Sequence, residues 1–280
     1  MRFIDKHPLA SQNRSLAIAN WFKWQVSSRI LKMPVIFPWI RDSKLVVESS
    51  MTGATGNIYA GLHEFTDMAF CLHLLRAGDL FVDVGANIGS YTVLASKVSG
   101  ANSLSLEPVP TTFKHLTRNI NINELSQLVE ARCCAVGKAS GSIQFSTDCD
   151  TTNQVVDSTY TGVSIEVPVM SLDEILKTSK PTLIKIDVEG YEPEVIQGAI
   201  NTLSCSSILA ILLETVNPEI EVTLQNNGFS NASYDPFTRT LTTSSINNHR
   251  GNNYLWIKNP DQIIDRCRKS DKYEALGIYF

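Results

Sequence analysis

Between Leu80 and Glu214 short apolar runs alternate with helical periods, and this alternation limits the possible folds more than any other feature of the chain. Leu80-Phe81-Val82-Asp83-Val84 reads as a strand buried on both faces, followed by a glycine-bearing turn and a helix from Ser90 to about Val98. Ser103–Glu107 reads as a second strand. The helix after it opens at Pro110 and spaces Phe113, Leu116 and Ile120 three and four apart. A third strand is expected near Val129–Val136, a fourth at Leu183–Asp187 and a fifth at Ser207–Glu214, with Pro193 in the first turn of the helix after the fourth. Strands alternating with helices of this length predict an α/β fold, a mostly parallel sheet with helices on both faces. The stretch from 137 to 182 is too polar and β-rich for one helix. Ser142–Phe145 and Val163–Val169 predict an added antiparallel hairpin, and Ser171 caps a short helix with Glu174 at its third position. Arg239–Thr243 and Asn253–Lys258 read as a closing strand pair.

Upstream, Leu16, Ile18, Ala19, Phe22, Val26 and Ile30 recur on a helical period, with Trp21 and Trp24 nearby, so Arg14–Lys32 reads as an amphipathic helix stopped by Pro34. Lys44–Ser50 has β character, the segment MTGATGNIYAG reads as a turn-rich connection, and Glu64–Leu75 reads as a helix. Residues 1–44 hold eight basic and two acidic side chains, a net +6, which leaves −10 on the rest of a chain whose total is −4. Such asymmetry predicts separate jobs: a basic N-terminal helical extension (1–50), the α/β domain (51–259) and a C-terminal tail (260–280).

Composition excludes several classes. With 43% hydrophobic and 19% charged residues in 280, the chain is neither collagen-like, coiled-coil nor disordered. No run approaches the ~18 apolar residues of a membrane span, and MRFIDKHPLA lacks the apolar stretch of a secretory leader. The six cysteines (71, 133, 134, 149, 205 and 267) form no CxxC pair, so neither a zinc site nor a disulfide framework is expected, and a cytoplasmic location fits. No basic stripe or RNA-recognition module crosses the acidic remainder, which argues against nucleic acid as partner.

Two constellations carry chemistry. Asp83-Val84-Gly85-Ala86-Asn87-Ile88-Gly89 joins a buried strand to a helix, where glycines allow a sharp turn and close ligand approach, and the free helix N–H groups favour an anion. Eighteen residues past Gly89, Glu107 ends the second strand, placed to accept hydrogen bonds from ribose hydroxyls. A nucleoside-bearing cofactor follows. The dinucleotide fingerprint needs glycines at 87 and 90, where Asn87 and Ser90 stand, and this disfavours an NAD(P)-dependent oxidoreductase. The second constellation, Leu183-Ile184-Lys185-Ile186-Asp187-Val188-Glu189-Gly190-Tyr191-Glu192, puts three carboxylates at the carboxyl end of the fourth strand. Glu192 suits a helix N-terminus. Asp187 and Glu189 are the candidates for a general base or for orienting an acceptor, converging if Gly190 allows the turn. They argue against a non-catalytic binding protein. With Glu214 they form an alternative, less favoured set for a divalent cation, and no metal site is assigned. His63 is a candidate for the cofactor mouth or a plain capping residue. Cys133-Cys134 reads as core, and Tyr234-Asp235-Pro236-Phe237 as either packing or pocket lining.

The strings DVGANIGSYTVLAS, Glu107-Pro108, VPVMSLDEIL, LIKIDVEGYEPEVIQGA and Ile211–Glu214 resemble the FkbM family of S-adenosylmethionine-dependent methyltransferases, over about residues 57–258. The resemblance implies a class I, Rossmann-like methyltransferase fold of seven strands with the last antiparallel. It implies that Asp83, Gly85, Asn87 and Gly89 hold the methionine part of the cofactor and Glu107 its ribose. It also implies O-methylation of a small-molecule, sugar, glycolipid or natural-product acceptor. The first 50 residues match only loosely. Their two tryptophans, apolar stripe and +6 charge have the composition of an interfacial helix touching a membrane peripherally. The competing expectation is that the stripe packs on the domain or a second subunit.

Overall fold

In a computed structural model, described for residues 2–31, 33–48, 51–146, 155–156, 160–243 and 253–280, the apolar runs become the centre of one eight-stranded sheet. The chain opens with helices α1 (Arg2–Lys6) and α2 (Arg14–Leu31), then the hairpin of β1 (Val35–Pro38) and β2 (Lys44–Val47), then α3 (Thr52–Ala60) and α4 (Phe65–Leu74). The alternating part follows: β3 (Leu80–Val84), α5 (Ser90–Val93) running into a π-helical turn at Leu94–Val98, β4 (Asn102–Leu106), α6 (Pro110–Ile122) and β5 (Val129–Arg132). A small side sheet, β6 (Ala135–Val136), β7 (Gly141–Ser146) and β8 (Ser164–Met170), precedes α7 (Leu172–Leu176). Then come β9 (Leu183–Ile186), α8 (Glu192–Gln197), α9 (Ile200–Leu203), β10 (Ala210–Leu213) and α10 (Pro218–Asn226). The chain closes with β11 (Ser230–Asp235), β12 (Thr240–Thr243), β13 (Tyr254–Ile257), α11 (Pro260–Arg268) and the hairpin of β14 (Glu274–Ala275) and β15 (Ile278–Tyr279).

The sheet order is β12-β11-β13-β10-β9-β3-β4-β5. β5, β4, β3, β9 and β10 are parallel, and β13 runs antiparallel between β10 and β11. This is the Rossmann-like methyltransferase architecture with its reversed strand. β12 is an eighth strand beyond the seven expected, and it pairs with β11, not with β13. The expected closing pair is therefore split by β11, whose sequence SNASYD holds only one residue enriched in strands, its Tyr.

Both faces of the parallel strands are buried. In β3, Phe81 packs with Phe65, Leu72, Leu183 and Ile263 on one side, while Val82 and Val84 pack with Ile184, Val195 and Ile220 on the other. Residues 260–280 contribute Ile263, Tyr273 and Phe280 to the first cluster. The hairpin between β5 and β9 forms as β7 against β8, and the Ser171 Oγ accepts the Glu174 N–H at 3.2 Å.

Two further segments depart from their readings. The third strand, expected near Val129–Val136, divides into β5 of the main sheet and β6 of the side sheet. MTGATGNIYAG is not a turn but carries α3, with Ala54, Ile58 and Ala60 buried. Its Gly56 serves close packing, since a Cβ there would stand 2.0 Å from His63 Nδ1.

Candidate active site

The chain lays β4 and β5 on one side of β3, then returns to lay β9 and β10 on the other. Such a switch point, at the carboxyl ends of the strands, is where open parallel sheets bind ligands. A cavity of about 330 Å³ opens there, with Gly85, Asn87, Glu107, Asp187, Glu189 and Glu214 in its lining. A smaller hollow of about 110 Å³ shares Gly85, Asn87 and Asp187 with it and reaches Asp83 and Lys185.

The turn after β3 is built for close approach. Gly85 has φ +79, and a Cβ on it would stand 1.8 Å from the Asp187 carbonyl oxygen. The Gly85 and Ala86 N–H groups both donate to the Leu106 carbonyl, at 2.9 and 3.0 Å. Asn87 takes a left-handed φ of 51, which Asn tolerates better than other side chains, and its N–H donates to Glu107 Oε2 at 2.9 Å. Glu107 is 6% exposed, and its Oε1 accepts the Val109 N–H at 3.0 Å. Each carboxylate oxygen keeps a lone pair for a hydroxyl donor in the cavity. Gly89 lines neither described hollow; a Cβ there would meet Leu116 Cδ1 at 2.5 Å, so this glycine lets α6 pack closely.

After β9 the chain turns through two left-handed residues, Glu189 (φ 52) and Gly190 (φ 92). This turn converges the acids: carboxylate oxygens of Asp187, Glu189 and Glu214 lie within 4.8 Å of one another. Glu192 stays apart. It is fully buried, accepts from the Val188 and Gly190 N–H groups at 3.3 and 3.4 Å and from Thr215 Oγ1 at 2.6 Å, and so ties the turn to the chain after β10.

The model of the methyltransferase FkbM domain matches residues 83–253. The chain belongs to the FkbM methyltransferase family. Methyltransferase sdnD of Sordaria araneosa is 24% identical over 205 residues, 59% of this chain and 79% of the relative. Hexuronic acid methyltransferase AglP of Haloferax volcanii is 31% identical over 136 residues, 48% of this chain and 55% of AglP. A crystallised FkbM methyltransferase from Methylobacillus flagellatus gives a TM-score of 0.45 at 16% identity, covering 76% of this chain and 56% of that one. The chain thus spans little more than half the length of AglP and of the Methylobacillus protein.

Lining the smaller hollow of this FkbM site is a cation that the motif reading passed over. Lys185 is 3% exposed, sits directly across from Asp83 in the β3–β9 register, and places its Nζ 2.5 Å from Asp187 Oδ2. The same Nζ stands 4.8 Å from the centroid of the Tyr91 ring, whose hydroxyl donates to Glu64 Oε2 at 2.7 Å. Burial alone would favour a neutral amine, but Asp187, Glu64 and Asp83 outweigh it and raise the Lys185 pKa. Burial pushes Asp187 up, and the adjacent ammonium overcomes this, holding its carboxyl below the usual range. Burial and the charges of Asp187 and Glu189 push Glu214 up to about 8, so near neutral pH Glu214 keeps a proton that Asp187 accepts. Burial, then Asp187 and Glu192, raise Glu189 as well. Burial also pushes Glu107 up to about 7 and Asp83 up to about 6, where Thr92 Oγ1 donates to Asp83 at 2.7 Å. A signal for Lys185 was present: a long cation inside an apolar strand needs a buried partner.

His63 does line both hollows, its N–H donating to Asn57 Oδ1 at 2.8 Å, and burial keeps its ring neutral by lowering its pKa. Tyr234 does not: it is buried against Phe70 and hydrogen-bonds His73 Nδ1 at 2.7 Å. Of the pair expected in the core, Cys134 is buried and lines the cavity, whereas Cys133 is only partly buried; Cys149 lies outside the described residues.

Proposed function

We propose that this chain is an S-adenosylmethionine-dependent O-methyltransferase acting on a hydroxyl of a sugar, glycolipid or natural-product acceptor. The observation that carries the proposal is one cavity holding both a Glu107 carboxylate free to accept ribose hydroxyls and the converged acids Asp187, Glu189 and Glu214. Asp83, Gly85 and Asn87 fit the methionine end, where bare backbone and a buried acid meet; Gly89 acts by packing α6 behind them. When bound, the cofactor would supply a methyl group activated on a sulfonium. The chain's part is alignment and proton removal, because in-line displacement gains most from positioning. Glu189, half-exposed and with a raised pKa, takes the acceptor's proton; Asp187, pinned by Lys185, orients the hydroxyl. The AglP likeness favours a glycan among the acceptor classes.

A second role for the three acids is a hard divalent cation, for which three carboxylate oxygens are a suitable donor set. The Lys185 ammonium and the Glu214 proton already offset their charge, which supports the metal-free mechanism.

Glu107→Ala should weaken S-adenosylhomocysteine binding by about 1.5–3 kcal/mol, the worth of hydrogen bonds to a charged group. Ribose hydroxyls donate to the ionised form, and Glu107 holds its proton up to about pH 7. Affinity should therefore rise from about pH 6 to about pH 8, with a proton released on binding below that range's upper end. Calorimetry in buffers of different ionisation enthalpy reads both effects, and Glu107→Ala should flatten the pH profile. Unchanged affinity in the folded variant removes Glu107 from the ribose site. Binding of NAD(H) in place of S-adenosylhomocysteine would return the chain to the oxidoreductases. Mass analysis of products from a panel of sugars, glycolipids and other hydroxylated metabolites then identifies the acceptor.

A further inference from the structure

Helix α2 is apolar on two sides. The inner side is Ala17 and Trp24, both buried, with Ile18 and Trp21 half-buried; it packs on Ala60 and Ile58 of α3 and on Leu45 and Val47 of β2. Gln25 Nε2 adds a hydrogen bond to the Tyr59 hydroxyl at 3.2 Å. The stripe named from the sequence is mostly the other side. Leu16, Phe22, Val26 and Ile30 are 37%, 63%, 41% and 73% exposed, and Met33 beyond the helix is 61% exposed. Phe22, Val26 and Ile30 follow one another at four-residue steps and so form one line along the helix. At the α-helical period Lys23 falls on one edge of this line and Arg29 on the other, and both are exposed. No acid occurs in Arg14–Leu31, and Asp5 nearby is paired with Arg14 at 2.7 Å.

A row of large apolar side chains left in water marks a surface with a partner. We propose that this face of α2 docks on an anionic lipid bilayer, lying in its interface with Phe22, Val26 and Ile30 at the acyl boundary and Lys23 and Arg29 against headgroup phosphates. Charge complementarity selects this occupant. Residues 1–44 carry +6 while the rest of the chain carries −10, so net attraction to an anionic surface favours this end, even with Arg14 and Arg41 paired to Asp5 and Asp271. A second copy using the same face across a two-fold axis would set +6 against +6. The docked helix lies on α3, whose Asn57 holds the backbone of His63, a wall of the central cavity. Delivery of a lipid-borne acceptor to that cavity rests on the methyl-transfer proposal; the docking itself does not.

The test is co-sedimentation of the full chain with vesicles of phosphatidylcholine alone and of phosphatidylcholine with phosphatidylglycerol in equal parts. The chain should bind the second and not the first, and binding should weaken as salt rises from about 0.05 M to about 0.5 M. Lys23→Glu/Arg29→Glu should cut partitioning by at least roughly thirtyfold, and Phe22→Ser/Ile30→Ser by at least about tenfold. Both variants should keep the thermal midpoint and the S-adenosylhomocysteine affinity of the parent, since these side chains stand outside the core. Failure of the parent to bind anionic vesicles at low salt overturns the docking, as does undiminished binding by both double variants. A parent dimer dissociated by Phe22→Ser assigns the row to a second copy and overturns it too. Vesicle binding without any S-adenosylhomocysteine binding would leave the docking standing and remove the methyl-transfer proposal.

Discussion

Glu189→Gln is expected to slow methyl transfer by roughly 10²–10⁴, the usual contribution of a general base. The change removes charge and keeps size at a half-exposed position, so the fold and S-adenosylhomocysteine affinity should survive. Rate should also depend on pH with a definite sign. Glu189 must be ionised to accept a proton and its pKa is raised, so the parent rate should climb as pH passes through that raised value, and the variant should lose the climb. Asp187→Asn should cost rate as well, through a misplaced acceptor and not through a lost base. Single-turnover kinetics with the acceptor found by product analysis measures both. Normal turnover by the two variants would take the base away from this loop. Activity abolished by EDTA and restored by Mg²⁺ would make the three acids a cation site.

Lys185→Met is expected to cost about 3–5 kcal/mol of folding stability, because it removes one partner of a buried ion pair and leaves acids uncompensated. Asp83 lies across the register and Asp187 2.5 Å from the lost ammonium, with the Asp187 side chain 30% exposed, which favours the lower end of that range. The loss should vary with pH. In the parent, the depressed Asp187 pKa contributes stability above its unfolded pKa, and that contribution fades as pH falls through the folded value. In the variant, Asp83 and Asp187 are left with burial and no cation, so both folded pKa values exceed the unfolded ones and stability falls as pH rises. Parent and variant should therefore lie closest near about pH 4–5 and furthest apart near about pH 7–8. Urea unfolding at the two pH values checks this; an equal gap at both would mean that Lys185 acts through packing alone.

The parallel strands were legible because strands buried on both faces are mostly apolar, and LFVDV and LIKI are apolar except for Asp83 and Lys185, which stand across from each other. The β7–β8 hairpin and the Ser171 cap were legible from a polar, β-rich composition unsuited to one helix and from capping chemistry. The convergence of Asp187 and Glu189 followed from the permissive backbone at Gly190, although Glu189 itself also takes a left-handed φ. Other features depend on neighbours distant in sequence. The glycines of α3 look like turn residues until His63 is seen against Gly56. β11 is built from poor strand formers held by β13. The helical period of α2 is plain, but period alone does not say which of two apolar sides meets the domain. Gly89 sits in the glycine turn by sequence and packs against Leu116 by structure.

The contact between Gly85 and the Asp187 carbonyl has a consequence for how acceptor range can change. It couples the glycine turn and the acidic turn as one fixed jaw, since anything larger than hydrogen at residue 85 would prise them apart. The opposing jaw is different: Phe145 of β7 and Val155, bridged to it, form a wall of the same cavity on the side sheet, outside the central strands. Trimming or enlarging those two side chains is expected to alter the width of the gap on the side away from the central strands, with Val155 the freer of the two because Phe145 is buried in a cluster with Val109. Redesign for bulkier or slimmer acceptors belongs on that adjustable jaw.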